Sequence, residues 1–317
     1  MTPTAEPKPH RIYLAGRWVE SPDLVTIANP ARPDLPAGRT YSATAEQYEE
    51  AVTAAVAAFE DTRKLAAYER GAALRKIAEG IAARREEIGR LITAESGKPI
   101  SDALTEVDRG VLTFRVAAGE AERIGGEVIP LDLNPASRGR IGVTRRFPIG
   151  PIAAISPFNF PLNLAAHKVG PAIASGNPIV LKPPSRAPLT MLTVAEVIAA
   201  AGLPEGAVSI LPMTRELGDR MVTDERFKLL TFTGSPAVGW KMKERAGKKK
   251  VVLELGGNAG VIVDRSADID WAVRRCVTGA FSYSGQVCIS VQRLFVHEAV
   301  WDDFMGRFVD AARPEDR

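Results

Sequence analysis

Between residues 151 and 234 the chain repeats one beat: a short apolar run, a loop, a helical stretch, and the next apolar run. The runs PIAAIS, PIVLKP, AVSILP and LLTFTG are each bounded by Gly or Pro, and residues 162–174 and 189–201, between the first three, have helical texture. That alternation predicts an α/β fold with a parallel sheet covered on both faces. Ligands of such sheets bind beyond the carboxyl ends of the strands. The loops after Ser156, Leu181, Leu211 and Phe232 are therefore where chemistry is expected.

The flanking sequence adds layers to this centre. RIYLAGRWVE, rich in β-formers, predicts a short hairpin near the amino terminus, after a loose proline-bearing tail. Residues 44–125 read as helical. Thr44 with Gln47 makes a capping box, and Leu74, Ile77, Ile81, Ile88, Leu91 and Ile92 recur at helical spacing, giving one buried face. Ser96-Gly97 with Pro99 is a stop signal, and Ser101-Asp102 is the expected cap of the next helix. Residues 127–148 alternate apolar and basic residues through GRIGVTRRF, the pattern of a solvent-edged β-arm.

Composition narrows the function classes. With 317 residues, 45% hydrophobic and 25% charged, the chain has material for about two ordinary globular domains. A net charge of +3 leaves no electrostatic footprint for nucleic acid. Two cysteines exclude a disulfide-stapled scaffold and a four-Cys zinc site. No run reaches the roughly 18 apolar residues of a membrane span, and the start lacks the apolar core of a signal peptide. The expectation is a cytoplasmic protein without a metal site.

Five loops hold the candidate chemistry. In Ser156-Pro157-Phe158-Asn159-Phe160-Pro161, the Asn159 amide could stabilise an oxyanion, although Asn in a Pro-rich loop is also a common turn former. Lys182-Pro183-Pro184-Ser185-Arg186 follows a strand where dinucleotide-binding sheets recognise the adenosine ribose; the alternative is a helix lead-in with a Ser cap. Phe232-Thr233-Gly234-Ser235-Pro236-Ala237-Val238-Gly239 runs from strand to helix, offering free N–H groups to a phosphate-bearing ligand. It matches neither G-x-G-x-x-G nor the P-loop, since Trp240 follows the second glycine. Glu254, in LELGGN, is embedded between apolar residues, a setting that raises a carboxyl pKa and suits a general base; a strand-end Glu facing solvent is the other reading. Cys288 lies in SGQVC beside flexible Gly285, while Cys276 falls on the apolar side of the preceding helix and reads as packing. Lys248-Lys249-Lys250 reads as a solvated turn.

In this order, PFNFP, LKPPS, FTGSPAVG, LELGGN and SGQVC closely resemble the aldehyde dehydrogenase superfamily, from about Arg11 to about Ala312. His167-Lys168-Val169 and SGQVCISVQR look more like the branch with lactaldehyde and non-phosphorylating glyceraldehyde-3-phosphate dehydrogenases. The resemblance implies a Rossmann-like NAD(P)-binding domain (1–126 and 148–253), an oligomerisation arm (127–147) and the start of a catalytic domain (254–317). It implies Cys288 as nucleophile forming a thiohemiacetal and then a thioester, Asn159 in the oxyanion site, and Glu254 activating water. Lys182 would bind the adenosine ribose, with Ser156, Ser185, Gly234, Ser235, Val238 and Gly239 around the dinucleotide. Family members that prefer NAD commonly carry Glu where Ser185 stands, so Ser185 beside Arg186 favours NADP over NAD. The partner would be a small aldehyde, with a homo-oligomer formed through the arm.

The chain also departs from the family pattern. It ends at Arg317, soon after Cys288, and lacks the Glu-x-Phe-Gly-Pro segment that clamps the nicotinamide ribose. The expectation is therefore a truncated aldehyde dehydrogenase. The alternatives are a non-catalytic nucleotide-binding fragment and a cysteine-dependent esterase.

Overall fold

The computed structural model describes residues 8–313. Most of the amino-terminal tail, and the end of the closing AARPEDR stretch, lie outside these residues. Strands β1 (Ile12–Leu14) and β2 (Arg17–Val19) form the expected hairpin, turning on Ala15 and Gly16, both at positive φ. A second antiparallel hairpin pairs β3 (Leu24–Ile27) with β4 (Gly38–Tyr41). Helix α1 (Ala45–Thr62) opens on the expected capping box: Thr44 Oγ1 accepts from Gln47 N–H at 3.3 Å, and Gln47 Oε1 accepts from Thr44 N–H at 3.0 Å.

Three helices follow: α2 (Ala67–Ala83), α3 (Arg85–Ser96) and α4 (Ile100–Arg123). Leu74, Ile77 and Ile81 of α2 and Ile88 and Ile92 of α3 are fully buried in one core, while Leu91, expected with them, is only half-buried. The stop is real: Gly97 closes α3 in the left-handed conformation, which glycine adopts without steric cost. The expected start of α4 is corrected. Pro99, not Ser101 or Asp102, occupies the cap position. Its carbonyl already accepts from Ala103 N–H at 2.9 Å, so Asp102 falls inside the first turn, where its charge suits the helix dipole. The arm is a two-stranded hairpin of β5 (Val128–Pro130) and β6 (Ile141–Val143).

The repeating beat then builds the central sheet. It runs β7 (Ile152–Ile155), α5 (Asn163–Ala174), β8 (Ile179–Lys182), α6 (Leu189–Ala199), β9 (Val208–Ile210), α7 (Arg215–Thr223), β10 (Leu229–Gly234), α8 (Pro236–Arg245) and β11 (Lys250–Leu255). The sheet order is β11-β10-β7-β8-β9-β1-β2. Strands β10, β7, β8 and β9 pair in parallel, and β1 joins antiparallel. All residues of β7, β8 and β9 are buried, as a sheet covered on both faces requires. Helix α7 is short and polar, so its apolar face was not legible; Thr214 caps it by accepting from Leu217 N–H at 3.2 Å. The solvated-turn reading of Lys248-Lys249-Lys250 needs one correction. Lys249 Nζ donates to the carbonyls of Val222 (2.9 Å) and Ala246 (3.3 Å), anchoring the turn.

The remaining elements are β12 (Ala259–Val263), α9 (Ile269–Phe281), β13 (Val291–Val296) and α10 (Trp301–Ala312). Strands β12 and β13 pair in parallel. Val263, Ala272, Val273, Cys276, Val277 and Phe304 form a separate small core beneath them. The chain divides into two compact units: one runs to Thr233 and takes in Trp240–Leu253, and the other holds Gly234–Gly239 and everything from Glu254 onward. Among the described residues no helix is long and apolar enough to cross a membrane.

Candidate functional site

In the first unit, the ends of β7 and β8 bring Ser156, Lys182 and Ser185 together. Ser156 N–H donates to the Lys182 carbonyl at 3.2 Å, continuing the strand pairing by one step. The Ser156 hydroxyl is enclosed and has no hydrogen-bond partner among the described residues. Lys182 is itself buried, and its Nζ donates to Ser185 Oγ at 3.3 Å. Burial, and then the positive charge of Arg215, pull the Lys182 pKa down to about 8. Ser185 and Arg186 are exposed at the loop tip, with no carboxylate between residues 182 and 188. The helix after this loop takes no side-chain cap, so Ser185 is not the helix cap that the alternative reading required.

Two further features shape this strand end. A Cβ added to Gly218 of α7 would sit 2.6 Å from Lys182 Cδ and 2.7 Å from Cε, so glycine there leaves a slot for the lysine stem. Lys168 of α5 is buried and donates from Nζ to Thr231 Oγ1 (3.1 Å) and Thr233 Oγ1 (2.8 Å) of β10.

Asn159 is half-buried in the loop from β7 to α5. Its neighbour Phe160 lies with its ring centroid 3.6 Å from Lys98 Nζ. Lys98 makes a fully enclosed ion pair with Glu106. Burial pulls Lys98 down and pushes Glu106 up, each opposed by the attraction of the other. Glu106 Oε1 also accepts from Leu162 N–H (2.9 Å) and Asn163 N–H (3.1 Å), at the start of α5. Glu95 holds the start of α6 with both oxygens, Oε2 accepting from Leu189 N–H (2.7 Å) and Oε1 from Thr190 N–H (2.9 Å).

The second unit carries the other candidates. Gly234 and Ser235 lead into α8 with Pro236 in its first position, where a missing N–H costs nothing. Gly239 N–H donates to the Ser235 carbonyl at 3.0 Å, and Val238 is exposed. Of the two readings of Glu254, the structure agrees with the strand-end residue facing solvent. It is exposed, not enclosed by its apolar neighbours, because β11 is an edge strand with alternating half-open and open positions. Cys288 is exposed and Cys276 buried, and burial pushes the Cys276 thiol up. Tyr283, Ser284 and Gly285 are consecutive left-handed residues. The two non-glycine residues among them cost roughly 1–2 kcal/mol each. This tight corner lies between α9 and the Cys288 loop. The loop then closes with Ser290 N–H donating to the Val287 carbonyl at 3.0 Å. Gly257 lies against this loop: a Cβ there would sit 3.1 Å from the Cys288 carbonyl oxygen.

Sequence reasoning missed Glu95, Lys98, Glu106 and Gly218. For two of them a signal existed. Glu106 falls among Ala103, Val107 and Gly110, and Glu95 follows Ile88 and Ile92 at helical spacing; both are carboxylates on apolar stripes. Lys98 was hidden inside a helix-stop motif, and Gly218 carries no local mark.

A description of the aldehyde dehydrogenase family matches residues 18–314. Lactaldehyde dehydrogenase of Methanocaldococcus jannaschii is 38% identical over 307 residues, 95% of this chain and 65% of that protein. Among solved structures, aldehyde dehydrogenase 21 of Physcomitrella patens, in complex with the reaction product succinate, is 49% identical with a TM-score of 0.93. It is matched over 97% of this chain and 64% of its own. NADP-dependent glyceraldehyde-3-phosphate dehydrogenase of Bacillus halodurans, complexed with NADP, is 34% identical with a TM-score of 0.92, over 96% of this chain and 65% of its own. The chain thus spans less than two thirds of the length of these relatives.

Proposed function

The chain belongs to the aldehyde dehydrogenase family, and on that premise we propose that it oxidises an aldehyde to a carboxylic acid with NAD(P)+ through Cys288. The observation that carries this reading is the contrast between the cysteines. Cys276 is packed in a core, whereas Cys288 is exposed on a loop that follows a strained left-handed corner, where function commonly holds such strain. The residues at the end of β8 fit a dinucleotide, with a slotted, cationic Lys182 beside the open Ser185-Arg186 loop tip.

Cys288, as thiolate, attacks the carbonyl carbon, and the Asn159 amide N–H donates to the oxyanion that forms. A bound nicotinamide would supply the hydride acceptor for this carbon, and loss of the hydride would leave the cysteine as a thioester. Glu254, open to solvent, takes the proton of a water that attacks the thioester, releasing the acid and the thiol. Lys182 would hold the adenosine ribose with Ser156 nearby, and Ser185 with Arg186 would admit a 2′-phosphate, which favours NADP. In the same reading residues 1–126 and 148–253 bind the cofactor, 127–147 are an oligomerisation arm, and 254–317 begin the catalytic domain.

The test is aldehyde-dependent formation of reduced nicotinamide by the purified chain, over a panel of aldehydes with NADP or NAD. Turnover abolished in Cys288→Ala is expected. A chain that binds the cofactor but reduces it with none of the aldehydes overturns the reading.

A further inference from the structure

Resting on the reading of Asn159 as the oxyanion donor, we propose that Lys98 is a positioning residue that holds Asn159 in place through the ring of Phe160, with Glu106 as its anchor. The side chains of Lys98 and Glu106 are both fully enclosed. One Glu106 oxygen takes the Lys98 ammonium; the other takes the N–H groups of Leu162 and Asn163. The ammonium lies 3.6 Å from the Phe160 ring centroid. The loop is therefore gripped at two nearby points, the ring of Phe160 and the backbone just after Pro161. Asn159 is the residue next to the first grip.

Capping uses only one oxygen of Glu106. Glu95 spends one oxygen on each N–H at the start of α6, whereas Glu106 takes both N–H groups of α5 on Oε1 and leaves Oε2 for Lys98. Stability does not explain the lysine, since a buried ion pair is rarely better than a well-packed apolar pair. What Lys98 adds is a charge enclosed beside an aromatic face. If the ring swings away, the enclosed ammonium loses that cation–π contact. Phe160 is thus held in one orientation, and the backbone of Asn159 with it.

The experiment uses the full chain with Lys98→Met, Lys98→Arg and Phe160→Leu, the last of which keeps the ion pair. It reads kcat, the KM for aldehyde, cofactor affinity and the 15N side-chain amide signal of Asn159. For Lys98→Met and Phe160→Leu we expect kcat to fall about tenfold to a hundredfold, the scale of a misplaced donor. KM and cofactor affinity stay within about threefold, the amide signal moves or broadens, and Lys98→Arg recovers part of the loss. Unchanged kcat with an unmoved amide signal overturns the proposal. So does a loss that tracks melting temperature and takes cofactor affinity with it. If the wild-type chain turns over no aldehyde, the dehydrogenase reading fails separately, and the amide signal alone decides whether Lys98 holds Asn159.

Discussion

At the scale of single residues, Lys182 ties packing most directly to binding. Burial and Arg215 bring its pKa to about 8, so the folded chain holds this proton less tightly than the unfolded chain does. Between about pH 8 and the ordinary lysine range the unfolded chain carries more protons here, and this group favours folding increasingly as pH rises through that window. Ligand binding runs the other way, because a grip on a ribose or its phosphate needs the ammonium. NADP affinity should fall as pH rises from about 7 to about 9, while Lys182→Met should bind weakly with a flat profile. Fluorescence titration measures both, and a wild-type profile as flat as the variant's would refute the role. Gly218→Ala offers a second probe. Its Cβ meets only the flexible end of Lys182, so the fold should survive with its melting temperature nearly unchanged. Cofactor affinity should drop about tenfold, the effect of displacing one charged contact by part of an ångström.

At the scale of elements, the helices before the arm hold the starts of the helices that follow the site loops. Glu95 does this for α6 from a position 94 residues away in sequence. Its carboxyl is pushed up to about 7 by burial, against the N–H groups that lower it. Its folded pKa exceeds its unfolded one, so the stability linked to its proton is complete below the unfolded value. That stability is lost as pH rises through about 7. Glu95→Gln should therefore flatten the dependence of melting temperature on pH between about 5 and 8, measurable by calorimetry. Glu95→Ala should destabilise by about 1–3 kcal/mol, the cost of stranding buried donors. Elements whose signals are local were legible in the sequence: Thr44 and Gln47 opened α1, Gly97 closed α3, and Gly and Pro bounded the strands. The start of α4 was misplaced because Pro99 supplied the entry. Helix α7 was missed because nine polar-rich residues leave too little periodicity to see.

At the scale of the whole molecule, the arm leaves an apolar surface. Val128 and Val143 face each other across the hairpin and are 73% and 74% exposed, with Ile141 and Phe147 also open. An exposed apolar strand pair of this kind invites pairing with another copy. Sedimentation should show the wild-type chain larger than a monomer, and the double variant Val128→Lys, Val143→Lys shifted toward monomer. A monomeric wild type at the same concentration would remove the arm from the account of assembly.

The sequence by itself determined the α/β beat, the loops at the strand ends, the amino-terminal hairpin and the arm, and the assignment of Cys276 to packing and Cys288 to a loop. Each of these depends on residues a few positions apart, through backbone conformation or the period of one face. The enclosure of Glu95, Lys98 and Glu106, the slot that Gly218 leaves for Lys182, and the openness of Glu254 were decided only by the tertiary structure. Burial of a charge depends on which distant elements pack over it, and a chain read residue by residue carries no measure of that.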